Sequence, residues 1–175
     1  MTNADNQARS VYIWLREGTW RAAVDAAPAG ARFTLLHVTS AEETDAARGA
    51  YAGLFGRAGR DPGARLEEMA AVSAGDLLAA AADRLGLGCD KLDIHGSERA
   101  VVTASAHADL LIVARDGDPA RLGPKSLGKA ARFVVDHAAC PVLLVWPGSA
   151  PGVATIPPAP HPPSPPPHHP SPPGQ

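Results

Sequence analysis

The 175-residue sequence contains little cysteine, few aromatic residues and no excess of positive charge. Its two cysteines, Cys89 and Cys140, are far apart and show no CxxC spacing. They predict reduced thiols in a cytoplasmic protein and not a disulfide framework or a zinc site. Lys and Arg together number 16 against 18 Asp and Glu, so no strongly basic face argues for nucleic-acid binding.

Long apolar runs are missing as well. None approaches the ~18 residues that a membrane-spanning helix needs, and the first ten residues, MTNADNQARS, lack the apolar centre of a secretory signal. The length suits one domain of ordinary size. We therefore expect a cytoplasmic protein with a disordered N-terminus over 1–9 and one domain over 10–147.

Proline is abundant, and most of the 18 prolines follow residue 147. The segment 148–175 has no charged residue, and its composition predicts a disordered tail with polyproline II bias. Two functions stay open beside that of a spacer. The tail could be a PxxP-type ligand for an aromatic-lined groove, or His161, His168 and His169 could capture a metal weakly.

The rest of the chain alternates short apolar runs with helical patterns. Apolar residues recur at three- and four-residue spacing over 64–85 and 127–138, and shorter helices are predicted over 21–27 and 97–106. Strands are predicted at 11–15, 32–38, 90–95, 110–114 and 140–146. This alternation favours an α/β fold with one parallel sheet. His37 lies inside the second strand, where a structural role is the simpler interpretation.

The segment from Thr39 to Gly63 is harder to interpret. Residues 41–52 could be helical, but the glycines that follow predict a loop. Tyr51 and Phe55 have i, i+4 spacing, which favours packing against the sheet edge. The alternative is a lid over a ligand pocket.

A stretch at 108–147 carries the functional signal. It runs from a strand through a glycine-containing loop into a helix and a last strand, so the loop and the helix N-terminus belong at the carboxyl edge of the sheet. That end of a helix attracts anions. The loop glycines and cations are Gly117, Gly123, Gly128, Arg115, Arg121, Lys125 and Lys129. A phosphate site is one interpretation, and a solvated loop with Asp116 and Asp118 beside the cations is the other.

A Walker A loop is a further candidate in this stretch. Gly123, Gly128 and Lys129 fit G-x-x-x-x-G-K, but Ala130 stands where Ser or Thr would bind magnesium. Gly123 also lies nine residues beyond the end of its strand at Ala114, whereas a P-loop begins almost at once. The sequence therefore argues against a P-loop NTPase.

The same stretch resembles the universal stress protein family, whose loop has the form G-x2-G-x9-G-[ST]. Gly117, Gly128, His137 and the run AACPVL at 138–143 match the family frame. The first family glycine falls on Ala114, ten residues instead of nine separate the next two glycines, and Lys129 replaces the Ser or Thr. At the end of the first strand, Arg16 or Glu17 replaces a family Asp that meets the nucleotide.

This resemblance implies a doubly wound, Rossmann-like sheet of the adenine nucleotide alpha hydrolase type, with five parallel strands in the order 3-2-1-4-5. It implies a regulatory protein of the stress response, not an enzyme, that binds ATP or a related nucleotide. The implied binding residues are Val38, Ala114, Arg115, Gly117, Gly128 and Lys129.

The family frame also implies a homodimer that pairs through the last strand, where Val142, Leu144 and Trp146 alternate on a sheet edge. One alternative stays open at this point. The chain could be a family member that has lost its nucleotide and acts as a dimeric partner-binding protein.

Overall fold

The structure, a computed structural model, describes residues 8–40 and 62–158, with side chains over 8–39 and 71–158. The predictions for Tyr51, Phe55 and the rest of 41–61 lie outside the described residues. The same holds for 159–175, which contain the three tail histidines. Among the described helices, none combines the length and the apolarity needed to cross a membrane.

The architecture is a five-stranded parallel sheet with helices on both faces. The strands are β1 (Ser10–Leu15), β2 (Arg32–Ser40), β3 (Cys89–Gly96), β4 (Leu110–Ala114) and β5 (Val142–Val145). The helices are α1 (Trp20–Asp25), α2 (Pro62–Leu85), α3 (Glu98–Ala104) and α4 (Lys129–His137). Every neighbouring pair is parallel, in the order β3-β2-β1-β4-β5. The predicted fold class and strand order are confirmed.

Alternating side chains along the strands form two cores. Ile13 and Leu35 face α1 and α2, whereas Trp14 and Leu36 face α3 and α4. This is the two-residue period of a strand. Four of the five residues of β4 are buried, as a central parallel strand requires, and for this reason β4 has a continuous apolar sequence.

His37 lies directly opposite Asp93 in the register of β2 and β3. Its Nδ1 is 2.9 Å from Asp93 Oδ1, and Thr39 Oγ1 donates to the same oxygen over 3.5 Å. The imidazole is 15% exposed. These contacts tie two neighbouring strands together and agree with a structural role.

The chain does not leave the domain directly after β5. Residues 153–155 form a short 3₁₀ turn, and the Thr155 hydroxyl accepts a hydrogen bond from the backbone N–H of Leu122 over 3.0 Å. Pro157 lies next to Gly123, which has φ +105°, a conformation that favours glycine. We call residues 152–158 the return segment. Within this segment Thr155 supplies a partner for the loop backbone, and the disordered tail over 148–175 stays a prediction.

Candidate functional site

The carboxyl ends of β1 and β4 lie side by side at the centre of the sheet. Val11 to Ile13 of β1 pair with Leu110 to Ile112 of β4, while β2 continues the sheet on one side and β5 on the other. The strand order reverses at this point, and in open α/β sheets ligands bind in the crevice beyond the strand ends there. Arg16 follows β1 at this crevice, and Asp116 follows β4.

The loop between β4 and α4 is closed at its base by its own backbone. The N–H of Gly117 donates to the carbonyl of Ser126 over 3.1 Å, and that of Asp118 donates to Lys125 over 2.8 Å. A Cβ at Gly117 would lie 2.4 Å from the Lys125 carbonyl oxygen. Gly117 is thus required by the close approach of two backbone segments within the loop.

Arg115 is directed towards β5. Its guanidinium carbon lies 4.6 Å from the centre of the Trp146 ring, and it donates to the hydroxyl of Ser126. Ser126 is 1% exposed and donates to the Gly123 carbonyl over 2.7 Å. The Arg115 Nε is buried without a partner among the described residues. Arg115 and Trp146 therefore hold the loop onto the edge of the sheet.

Asp116 occupies the start of α4. Its Oδ1 accepts a hydrogen bond of 2.7 Å from the backbone N–H of Gly128, the residue that caps the helix. Its Oδ2 pairs with the guanidinium of Arg16, which also lies 5.2 Å from the centre of the Trp14 ring. The Asp116 side chain is only 11% exposed. This contact joins the ends of β1 and β4 across the crevice.

Gly128 and Lys129 lie at the start of α4. A Cβ at Gly128 would lie 2.9 Å from Asp116 Oδ1, so the carboxylate packs directly on the glycine. Lys129 is the first residue of the helix and is exposed. The helix dipole disfavours a cation at the N-terminus of α4, so an anion near Lys129 would stabilise its ammonium group.

Two of the predicted binding residues lie apart from the loop. Val38 is on β2, which β1 separates from β4, and it packs against the core under α3 and α4. Ala114 ends β4, is 4% exposed and packs on the opposite face. The structure thus brings together Arg115, Gly117 and Gly128 with Lys129 next to them, and leaves Val38 at a neighbouring strand end.

No sequence pattern predicted the pairing of Arg16 with Asp116, since Asp116 was expected only as a neighbour of the loop cations. The signal that could have found the pair is that Arg16 follows β1 and Asp116 lies two residues beyond β4, since β1 and β4 are adjacent in the predicted order. Within the part of the chain that the structure describes, no three His, Cys, Asp or Glu side chains are grouped to hold a metal ion.

A family model described as the universal stress protein family matches residues 19–145. The match includes β2, β3, β4, β5 and the loop. A search of curated proteins finds no match.

Solved structures give the same fold at low sequence identity. The hypothetical protein MJ0577 has a TM-score of 0.58 and 15% identity, covering 82% of this chain and 99% of its own. A universal stress protein in complex with cAMP has a TM-score of 0.53 and 17% identity, covering 81% and 99%. A universal stress protein family member from Burkholderia pseudomallei has a TM-score of 0.52 and 20% identity, covering 81% and 98%.

Proposed function

Because this chain belongs to the universal stress protein family, we propose that it is a stress-response regulatory module that binds ATP or a related nucleotide. The ligand would lie between the carboxyl ends of β1 and β4. Its base would lie toward Val38, and its phosphates would lie toward Gly128 and Lys129. On the β4 side, the ligand would lie next to Ala114 at the strand end and next to Arg115 and Gly117 in the loop that follows.

One observation carries the proposal: Gly128 caps α4 at the point where the strand order reverses. A phosphate oxygen is a good acceptor for backbone N–H groups at such a helix end. Lys129 adds an exposed cation at the same place. A solved protein of the same fold is in complex with cAMP, which supports a nucleotide as the class of ligand.

The experiment is to purify the protein, denature it and identify any nucleotide released, followed by calorimetry of the purified chain with ATP. Release of a nucleotide, or a saturable heat of binding, is the expected result. No released nucleotide, together with no heat of binding for either ATP or adenosine at millimolar concentration, would contradict the proposal.

A second candidate function has its own support. The Asp116 carboxylate accepts the hydrogen bond from the backbone N–H of Gly128, and Arg16 occupies the position at which the family has an Asp. Together with Ala114 and Lys129, these departures favour a family member that works without a nucleotide as a dimeric partner-binding protein. The same calorimetry separates the two candidates, because the second gives no heat with any nucleotide.

We also propose a homodimer through β5. This strand ends the sheet beyond β4, and Leu143 is 38% exposed on it. Val142 and Leu144 are partly buried against the core, and Trp146 lies at the guanidinium of Arg115. Leu143 and the strand backbone are therefore the groups that a second copy would meet.

A binding role without turnover fits the side chains at the crevice. Arg16 and Asp116 bind each other, and Ser126 is buried and hydrogen-bonded within the loop. A nucleophile needs an adjacent base and access to substrate, and these groups are engaged in holding the loop. Cys89 and Cys140 are free thiols.

A further inference from the structure

We infer that Asp116 sets the ligand specificity of the crevice, so that among adenine ligands it favours one with little or no phosphate charge over a nucleoside triphosphate. The inference rests on the proposed function, because it concerns which ligand the same crevice accepts. It starts from the contact between the Asp116 carboxylate and the backbone N–H of Gly128. A phosphate at the start of α4 would need this N–H, and the chain already supplies its own anion there.

The carboxylate is held firmly in that position. Oδ1 accepts the Gly128 N–H over 2.7 Å, and Oδ2 pairs with Arg16, which in turn lies over the Trp14 ring. The side chain is 11% exposed, so water screens it poorly. Rotation of the Asp116 side chain away from the helix would break both contacts. The Gly128 N–H would then lose its acceptor, and Arg16 would lose its ion-pair partner.

The space beside Gly128 is also filled. A Cβ on this glycine would lie within 3.0 Å of both carboxylate oxygens, so nothing as large as a phosphate oxygen fits between the carboxylate and the helix end. A phosphate group can reach the amide only by displacing Asp116, or it must bind beside the carboxylate. In the second arrangement two anions lie a few ångströms apart in a place of low exposure.

Like charges at that separation disfavour binding strongly when solvent screening is weak. The penalty increases with the charge of the ligand, so a triphosphate is affected most and a neutral nucleoside not at all. Arg16 and Lys129 offset part of this repulsion, but Arg16 is itself bound to the carboxylate and Lys129 is exposed, so water screens its charge. The crevice therefore separates ligands by phosphate charge, and Asp116 is the residue responsible.

The test compares ATP with adenosine on the full chain by calorimetry. Asp116→Asn keeps the size of the side chain and removes its charge, so we expect ATP to bind at least about tenfold more tightly while the adenosine affinity is unchanged. In the wild type, adenosine should bind at least as tightly as ATP. Asp118→Asn is the matched control, because Asp118 lies in the same loop and pairs with Arg121 over 3.2 Å; it should leave the ratio of the two affinities unchanged.

The outcomes separate this inference from the proposed function. If both ligands bind and Asp116→Asn leaves their affinity ratio as in the wild type, the inference is overturned and the nucleotide-binding role stands. If neither ligand binds to the wild type or to the variant, both are overturned. Melting without ligand checks the fold, and Asp116→Ser, which keeps a short acceptor, replaces Asp116→Asn if that variant does not fold.

Discussion

The carboxylate of Asp25 and the guanidinium of Arg84 form a two-point ion pair between the end of α1 and the last turn of α2. Arg84 Nε lies 2.7 Å from Oδ1, and Nη2 lies 2.7 Å from Oδ2. Both helices cover the same face of the sheet. The pair fixes their ends relative to each other at the surface of the domain.

This pair predicts a pH dependence of stability. The hydrogen bond from Arg84 holds the pKa of Asp25 below its ordinary value of 3.8. A lowered pKa in the folded state stabilises the protein fully above the unfolded value, and that contribution is lost as the pH falls through the folded value. Asp25→Asn should therefore lower Tm slightly near neutral pH, and the difference should shrink as the pH falls below 3.8 through the lower pKa of the folded state.

Arg84→Gln is the companion variant and should show the same pH profile, because it removes the other half of the pair. The measurement is thermal melting of the three proteins in a pH series. A Tm difference that stays constant down to acid pH would show that the ion pair does not contribute as described. The pair is exposed, so the effect should also shrink with added salt.

Gly117→Ala should destabilise the domain by about 1–3 kcal/mol, as overpacking does. The new Cβ would lie 2.4 Å from the Lys125 carbonyl oxygen and 2.7 Å from the Ser126 carbonyl carbon, and backbone atoms cannot move aside cheaply. Denaturant unfolding measures the loss. Wild-type stability in this variant would mean that the base of the loop opens readily.

Gly75→Ala is the matched control for the same substitution. Gly75 lies within α2, and a Cβ there meets nothing within 4 Å. Alanine is favoured over glycine in a helix interior by roughly 0.5–1 kcal/mol. The same chemical change should therefore stabilise at Gly75 and destabilise at Gly117.

Lys129→Ala should weaken nucleotide binding about tenfold. A charge-assisted contact to phosphate contributes ~1.5–3 kcal/mol, and Lys129 is exposed, so we expect the lower end of that range. Lys125→Ala is the control, since Lys125 is an exposed lysine of the same loop that lies before the helix. Calorimetry with ATP gives both affinities.

Gly128→Val tests the same site by placing a side chain where a phosphate would approach the backbone. The valine side chain would meet the Asp116 carboxylate, which lies 2.9 Å from the Cβ position, and should weaken binding further than Lys129→Ala. Both variants need an unchanged melting temperature without ligand. Wild-type affinity in Lys129→Ala would remove this residue from the phosphate site.

Leu143→Lys should convert the proposed homodimer to a monomer. Lysine on an edge strand prevents pairing with another copy, and Leu143 is 38% exposed, so the fold should tolerate the change. Val72→Lys, at a 59% exposed position of α2, is the control and should remain dimeric. Sedimentation at micromolar concentration measures both, and a monomeric wild type would end the proposal.

The fold could be predicted because its signals are local. The five apolar runs and the amphipathic pattern of α2 and α4 depend on burial of one face or both, and this shows directly in the sequence. The ends of elements were predicted less well. The helices predicted over 21–27 and 97–106 span Trp20–Asp25 and Glu98–Ala104. The last strand, predicted over 140–146, begins only after Pro141, which lacks a backbone N–H.

The site could be predicted only in part, because its contacts join residues far apart in the chain. Arg16 and Asp116 are 100 residues apart, and Leu122 and Thr155 are 33 apart. No periodicity connects such pairs. Gly117 and Gly128 were found from the spacing of the loop, yet their neighbours in the structure are the Lys125 carbonyl and the Asp116 carboxylate.

The closed base of the loop divides it into two parts that can vary independently. Two backbone hydrogen bonds close the base of the loop, from Gly117 to Ser126 and from Asp118 to Lys125. Residues 119–124 lie beyond them and form the tip. We expect an insertion within this tip to leave the backbone hydrogen bonds at the base of the loop in place. A change in tip length would instead alter the hydrogen bond between Leu122 and Thr155 of the return segment. The length of the loop can therefore vary without a change in the groups that meet a ligand at its base.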